Sequence, residues 1–370
     1  MTMPATLQTT ALPGQAASPA TLRLLRERRG LTRKQVADAL GKSGPWLTKV
    51  EAGDLAVAGD TLDSYAAVLD VRPDLLTTAI HVEPPEGTHF RSQKVSQRVR
   101  HQAVAAANLA AYLVNEMVSL ADADAPLSLV ELDADLLPGG AAEAAALVRL
   151  RLRLDGPIAD IAGALERFGV FVLPMPAAIE GIDAVTVRTD GPALALILLS
   201  ERIPEDRRRH TLAHELGHLV LDEKTLPQSM KDVEARADEF AGEFLAPYDE
   251  VREELRGITP MQLDTLLALH RHWGVSPSAF IRRARLHDDL TESQYRYWFR
   301  VLAARKLLRG AASTYPGRPA AVADLLGAVK DGGYTVGDVL DRTRYRVSEL
   351  ADTFADSWPY QRPSPRLRPV

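Results

Sequence analysis

The pentapeptide His214-Glu215-Leu216-Gly217-His218 constrains this chain more than any other stretch. Histidines at i and i+4 stand on one helix face, so both imidazoles can reach one ion. The glutamate beside the first histidine is then placed to act as general base toward a water at that ion. A catalytic zinc site takes three protein ligands and keeps a fourth position open, so one more ligand must come from elsewhere. Glu234 is the leading candidate, on a second helical stretch running Val233-Glu-Ala-Arg-Ala-Asp-Glu-Phe-Ala-Gly-Glu-Phe-Leu245. Asp238, one turn further along the same face, is placed to accept the outward N–H of a ligating histidine, a contact that sets tautomer and basicity. Leu212, Leu216, Leu219 and Val220 form a core-facing pattern around the histidines, which a surface helix with two solvated histidines does not need. The set implies one zinc per chain, and a His/His/Glu site also accepts manganese or iron.

At 370 residues the chain predicts two or three domains. Its net charge of −5 makes no whole-chain case for nucleic acid, so any such case must be local. Cysteine is absent, which removes disulfides, thiolate zinc sites and cysteine nucleophiles together. Met1 to Ser18 lacks the basic start and apolar run of a signal peptide, and the longest apolar run, Ala193 to Leu199, is too short to cross a bilayer. A cytoplasmic protein without a membrane partner is expected. Composition shifts divide it into a disordered start (1–17), a small helical domain (18–80), a linker and connecting helix (81–138), a central domain (139–310) and a helical C-terminal region with a Pro/Arg-rich tail (311–370).

Five short helical patterns fill the first domain: Thr21–Arg29, Arg33–Leu40 capped by Thr32, a third capped by Ser43 and ending at Gly53, Thr61–Leu69 and Pro73–Ala79. Two helices joined by a tight glycine-containing turn are the helix-turn-helix pattern. Between Leu22 and Lys49 eight basic residues face two acids, Glu27 and Asp38, which is the footprint of a phosphate-contacting surface. Leu22-Arg-Leu-Leu-Arg-Glu-Arg-Arg-Gly-Leu-Thr-Arg-Lys-Gln-Val-Ala-Asp-Ala-Leu-Gly41, followed by Leu47-Thr-Lys-Val-Glu-Ala-Gly53, resembles the XRE/Cro-repressor-like helix-turn-helix family. That resemblance implies that Gly44, Pro45, Trp46 and Lys49 face the major groove of double-stranded DNA. Arg33, Lys34 and Ser43 are expected to join them. Few of these side chains offer base-edge hydrogen bonds, so a helix-turn-helix kept as a protein-docking module is the competing reading. The basic run Phe90–Arg100 leads into Gln102–Leu120, which reads as a helical strut between domains rather than a DNA-contacting arm.

The central domain predicts an α+β, mostly helical fold. Helices over Ala141–Leu154 and Pro157–Phe168 precede strands over Gly169–Pro174, Ile182–Arg188 and Ala193–Leu199, the last two joined as a hairpin across Thr189–Pro192. The strand before the metal helix, Ala193–Leu199, is expected to offer a free edge to an extended peptide. After Pro247, helices are expected over Met261–Trp273, Ser278–Leu286 and Glu292–Leu308, and short ones over Arg318–Lys330, Thr335–Leu340 and Val347–Phe354.

Arg209-His-Thr-Leu-Ala-His-Glu-Leu-Gly-His-Leu-Val-Leu221 and Val233 through Pro247 resemble the ImmA/IrrE family of metallopeptidases, as do His272 through Ala284 and Ser293-Gln-Tyr295. The resemblance spans roughly Pro157 to Leu308. It implies a gluzincin-like fold, zinc on His214, His218 and Glu234, Glu215 as general base, and regulated cleavage of a helix-turn-helix repressor under stress or mobile-element control. His210 departs from the family, which usually has an aromatic there; one turn before His214, it can reach the site as an outer donor or toward an oxyanion, as can Tyr248, His270 and His272. The sequence therefore predicts a zinc metalloendopeptidase with its own DNA-binding head, acting on a repressor or on itself. A DNA-binding regulator whose peptidase-like domain is a sensor or dock is the alternative. Paired half-sites for helix-turn-helix proteins raise the expectation of a homodimer.

Overall fold

Local capping chemistry sets many helix starts in the computed structural model, which describes residues 16–82, 95–121, 129, 131–189, 195–221, 229–308 and 319–360. The expected disordered start up to residue 15, the Glu83–Gly87 linker, Arg91 and Lys94 of the basic run, the hairpin turn over 190–192 and the tail from 361 lie outside the described residues. Ser18 accepts the Thr21 N–H at the head of α1 (Pro19–Arg28). Thr32 and Gln35 close a reciprocal capping box on α2 (Arg33–Ala39). Ser43 caps α3 (Gly44–Ala52), and Gly53 ends it at φ 85°, a conformation that costs glycine nothing. With α4 (Asp60–Leu69) and α5 (Pro73–Leu76) the five-helix unit is complete. Helix α5 stops short of Ala79 because its end is tied to α1: Ser18 N–H donates to the Leu76 carbonyl at 2.8 Å and the Thr21 hydroxyl to the Thr78 carbonyl at 2.6 Å.

Helix α6 (Gln97–Ala121) begins earlier than expected and is no solvent-crossing strut. It is long and apolar enough to cross a membrane, but 72% of that apolar window is buried inside the protein. Its flanks are covered by α1, by the sheet, and by helices from the far end of the chain. Six of the thirteen buried residues of α6 are alanines, small enough to suit packing on several sides at once.

Helices α7 (Gly140–Leu152) and α8 (Ile161–Glu166) lead into β1 (Val170–Pro174), β2 (Ala184–Arg188) and β3 (Ala195–Leu199). The sheet runs β1-β3-β2, with β3 parallel to β1 and antiparallel to β2. The strand expected to present a free edge is therefore the central one. Residues Val170–Pro174 pair along its other side, which leaves β1 and β2 as the edges. Alternation divides the two faces: Val185, Val187, Leu196 and Leu198 join one core, Ala184, Ile197 and Leu199 the other.

Helices α9 (Glu205–Val220), α10 (Met230–Leu245), α11 (Tyr248–Leu255), α12 (Leu263–Trp273), α13 (Pro277–Leu286) and α14 (Glu292–Ala304) follow. Helix α11 was not expected, because only Tyr248, Val251 and Leu255 form its buried stripe. Its start is set by tertiary contact, with the Glu243 carboxylate accepting the Tyr248 N–H at 3.1 Å. Helices α15 (Ala321–Asp331), α16 (Val336–Thr343) and α17 (Val347–Phe354) close the described chain.

Two apolar cores result. One joins α1–α6, one sheet face and α15–α17; the other joins α7–α14 and the opposite face. The C-terminal helices thus share a core with the N-terminal domain. Polar contacts reinforce this, as Arg346 bonds the Asp70 carboxylate and the Val71 carbonyl, and Arg72 bonds the Leu340 carbonyl at 3.3 Å.

Candidate metal centre and nucleic-acid interface

Helices α9 and α10 pack closely because of Gly217. A Cβ there would stand 3.2 Å from Phe240 Cδ1 and 3.3 Å from both Cα and O of Ala237. Bare backbone at this point lets α10 lie against α9 and carries Glu234 to the histidines. The far end of α10 is held by buried Arg149, whose guanidinium donates to the Phe244 carbonyl at 2.7 Å.

The two imidazoles, both buried, present Nε2 atoms 3.1 Å apart. Glu234 carboxylate oxygens stand 3.4 Å from His214 Nε2 and 3.7 Å from His218 Nε2. A tetrahedral ion with ligand bonds of ~2.1 Å holds its donors ~3.4 Å from one another, so the triangle has the right size for zinc. Among the described residues, His214, His218 and Glu234 form the group able to hold a metal ion. His214 Nδ1 meets Asp238 Oδ1 at 2.8 Å, which orients Nε2 toward the triangle.

The two histidines differ electrostatically. Burial pulls both down, but hydrogen bonds to Asp238 and Glu234 and the nearby Glu215 charge lift His214 to about 9. Burial prevails at His218 and lowers it to about 4, with His214 adding to the fall. With no ion bound, the pair's extra proton is favoured on His214, between the Asp238 and Glu234 carboxylates. Glu215 is also buried and receives the Thr186 hydroxyl at 2.5 Å on Oε2. Thr186 sits opposite Ile197 on β2, facing α9. Two residues on, Arg188 donates to the Leu219 carbonyl at 2.7 Å and so binds β2 to the end of α9. Neither contact was anticipated from sequence, although Thr186 is a lone hydroxyl inside an otherwise apolar Ala-Val-Thr-Val run.

His210 lies alongside His214, ring centroids 6.2 Å apart and planes 28° from parallel. Tyr248 is committed to the packing of α11 on α13: its hydroxyl donates to Asp289 at 2.9 Å and its ring stacks on His287 at 3.7 Å. His270 bonds the Val275 carbonyl through Nδ1 at 2.9 Å, and His272 meets the Trp273 ring edge-on at 5.3 Å. None of these four contacts involves a residue of the metal site.

In the N-terminal unit, the exposed positions of α3 are Pro45, Thr48, Lys49 and Ala52, with Lys42 and Ser43 exposed just before it. Trp46 is half-buried and carries Lys42 Nζ 5.7 Å from its ring centroid. Gly44 is half-buried at the first turn, and Ser43 is occupied as the cap. Lys34 is exposed and pairs with Asp38 at 2.6 Å. Arg33 is half-exposed and bonds buried Glu51 at 2.8 Å; Arg26 reaches the same carboxylate. Glu51 thereby ties α1, α2 and α3 together, a structural duty that sequence alone did not assign to Arg33. Lys42 and Thr48 complete the exposed polar face.

No curated protein and no solved structure matches the chain. Residues 20–79 match the family model of a helix-turn-helix domain, and residues 165–285 match that of the IrrE N-terminal-like domain. The chain thus joins a helix-turn-helix DNA-binding domain to a peptidase domain of the ImmA/IrrE type.

Proposed function

We propose that this protein is a cytoplasmic zinc metalloendopeptidase carrying its own DNA-binding head. In this reading it acts in transcriptional regulation by cleaving a helix-turn-helix repressor, or itself, under a stress or mobile-element signal. Residues 18–80 read DNA, 81–138 connect, 139–310 hold the peptidase site and, within the C-terminal region 311–370, the helices α15–α17 brace the head, with a homodimer matching paired half-sites. The observation that carries the reading is the donor triangle of His214, His218 and Glu234 with buried Glu215 beside it. Three protein donors suit a catalytic rather than a closed structural site, for which a fourth would be needed.

Zinc, when bound, supplies a Lewis acid that acidifies water and polarises the scissile carbonyl. Glu215 takes the proton of the attacking water and returns it to the leaving amine nitrogen. The Thr186 hydroxyl fixes one carboxylate oxygen and so aims the other. Asp238 orients the His214 ring, and burial of both histidines keeps competing water off their ligand nitrogens. Replacing Glu215 with Gln keeps the shape and the three donors but removes the base. Zinc content should stay near one per chain while cleavage of repressors encoded beside the gene falls by at least ~100-fold. Cleavage at the parental rate by the variant would refute the assignment.

A second reading, a DNA-binding regulator whose peptidase-like domain senses or docks with little turnover, draws support from the shared core. The head, α6, one sheet face and the C-terminal helices are one packed unit, a direct route for a signal to reach the DNA-facing helices. Zinc bound without cleavage across several repressors would favour it.

A further inference from the structure

We propose that the first turns of α6 extend the DNA-contacting surface, with Arg98 and His101 reaching backbone phosphates of duplex DNA alongside Arg33 and Lys34. This rests on the helix-turn-helix domain binding DNA, and goes beyond it by adding a helix that lies outside that domain. Helix α6 packs along α1, and Gln102 Nε2 donates to the Arg28 carbonyl at 3.1 Å, which fixes its position against the head. A Cβ placed on Gly30 would stand 3.3 Å from Gln102 Oε1 and 3.5 Å from an Arg98 guanidinium nitrogen. Arg98 therefore lies against the turn that leads into α2. His101 lines a cleft of about 380 Å³ together with Arg23, Thr32, Arg33 and Lys34, and an adjoining cleft of about 230 Å³ that Arg98 shares.

Charge favours an anion here. The local carboxylates are already taken: Glu27 by Arg23 and Arg26, Glu51 by Arg26 and Arg33, and Asp38 by Lys34. Among the described residues, neither Arg98 nor His101 has a carboxylate within ion-pair distance. The excess of cationic side chains around the two clefts suits a phosphate backbone, contact with which positions a protein without reading sequence. Because α6 is anchored in the core, Arg98 is presented without a segment having to order on binding.

The test uses the full chain and a labelled random-sequence duplex, titrated across salt concentrations, with parent, Arg98→Ala and the Arg98→Ala/His101→Ala double variant compared. Lys34→Ala serves as a control within the helix-turn-helix and Arg305→Ala as a control for charge loss elsewhere. Loss of one phosphate contact lowers the slope of log affinity against log salt by ~0.9, equivalent to ~8-fold weaker binding at ~0.1 M salt. Arg98→Ala should show that change, the double variant a larger one, and Arg305→Ala none. Parental slope and affinity in Arg98→Ala, with Lys34→Ala weakened, would overturn the α6 contact and leave the helix-turn-helix reading standing. A parent chain that binds neither this duplex nor a selected one overturns both.

Discussion

Replacing Asp238 with Ala removes the acceptor 2.8 Å from His214 Nδ1 and leaves the three proposed zinc donors in place. Partners of this kind are worth ~10–100-fold in metal affinity. The Asp238 side chain is 55% exposed, so water takes over much of its role and the loss belongs near ~10-fold. An opposing effect must be set against it. Although burial pulls His214 down, hydrogen bonds to Asp238 and Glu234 raise it from 6.5 to about 9, so the metal-free parent keeps a proton there at neutral pH. Zinc has to displace that proton, which weakens apparent binding by ~100-fold at pH 7. The sign follows: a raised group stays protonated at low pH and lets go as pH climbs through about 9, so the parent's log affinity should rise ~1 per pH unit up to there. Without Asp238 the proton is held less tightly and the variant's curve flattens earlier. The two proteins should therefore bind zinc comparably near neutrality and separate as pH rises, the parent becoming tighter. Competition between the protein and a chromophoric chelator, repeated from pH 6.5 upward, measures both curves. Superimposed curves at every pH would refute the role given to Asp238, and a loss beyond ~1000-fold would make it a direct ligand instead.

Gly217→Ala should force α9 and α10 apart by a few tenths of an ångström, because two of the three closest atoms are backbone. An overpacking loss of ~1–3 kcal/mol in denaturant unfolding is expected, with weaker zinc binding as Glu234 recedes. Unchanged stability and affinity would contradict the close approach. Chelation should lower the melting temperature, since an ion held at ~1000 times its dissociation constant stabilises the folded state by ~4 kcal/mol. Calorimetry with and without a chelator reads this, and identical transitions in a zinc-loaded sample would argue against an ion held by folded α9 and α10 together.

The shared face of the two histidines, the glutamate beside them and many helix starts are legible in the chain itself because each depends on residues within about one turn of one another. His214 and His218 share a face through spacing alone. Thr32, Ser43, Ser276 and Thr291 each cap the helix that follows them. Contacts that join distant segments are decided only by tertiary structure. Thr186 meets Glu215 because β2 pairs with β3 in a register that turns its hydroxyl toward α9. The free edge expected for Ala193–Leu199 is not there, because a parallel partner cannot be read from a hydrophobic run, which looks alike in edge and central strands. Helix α6 shows the same limit. Its alanine-rich pattern specifies a helix but not what covers it, and the C-terminal helices that do so lie some two hundred residues further along the chain.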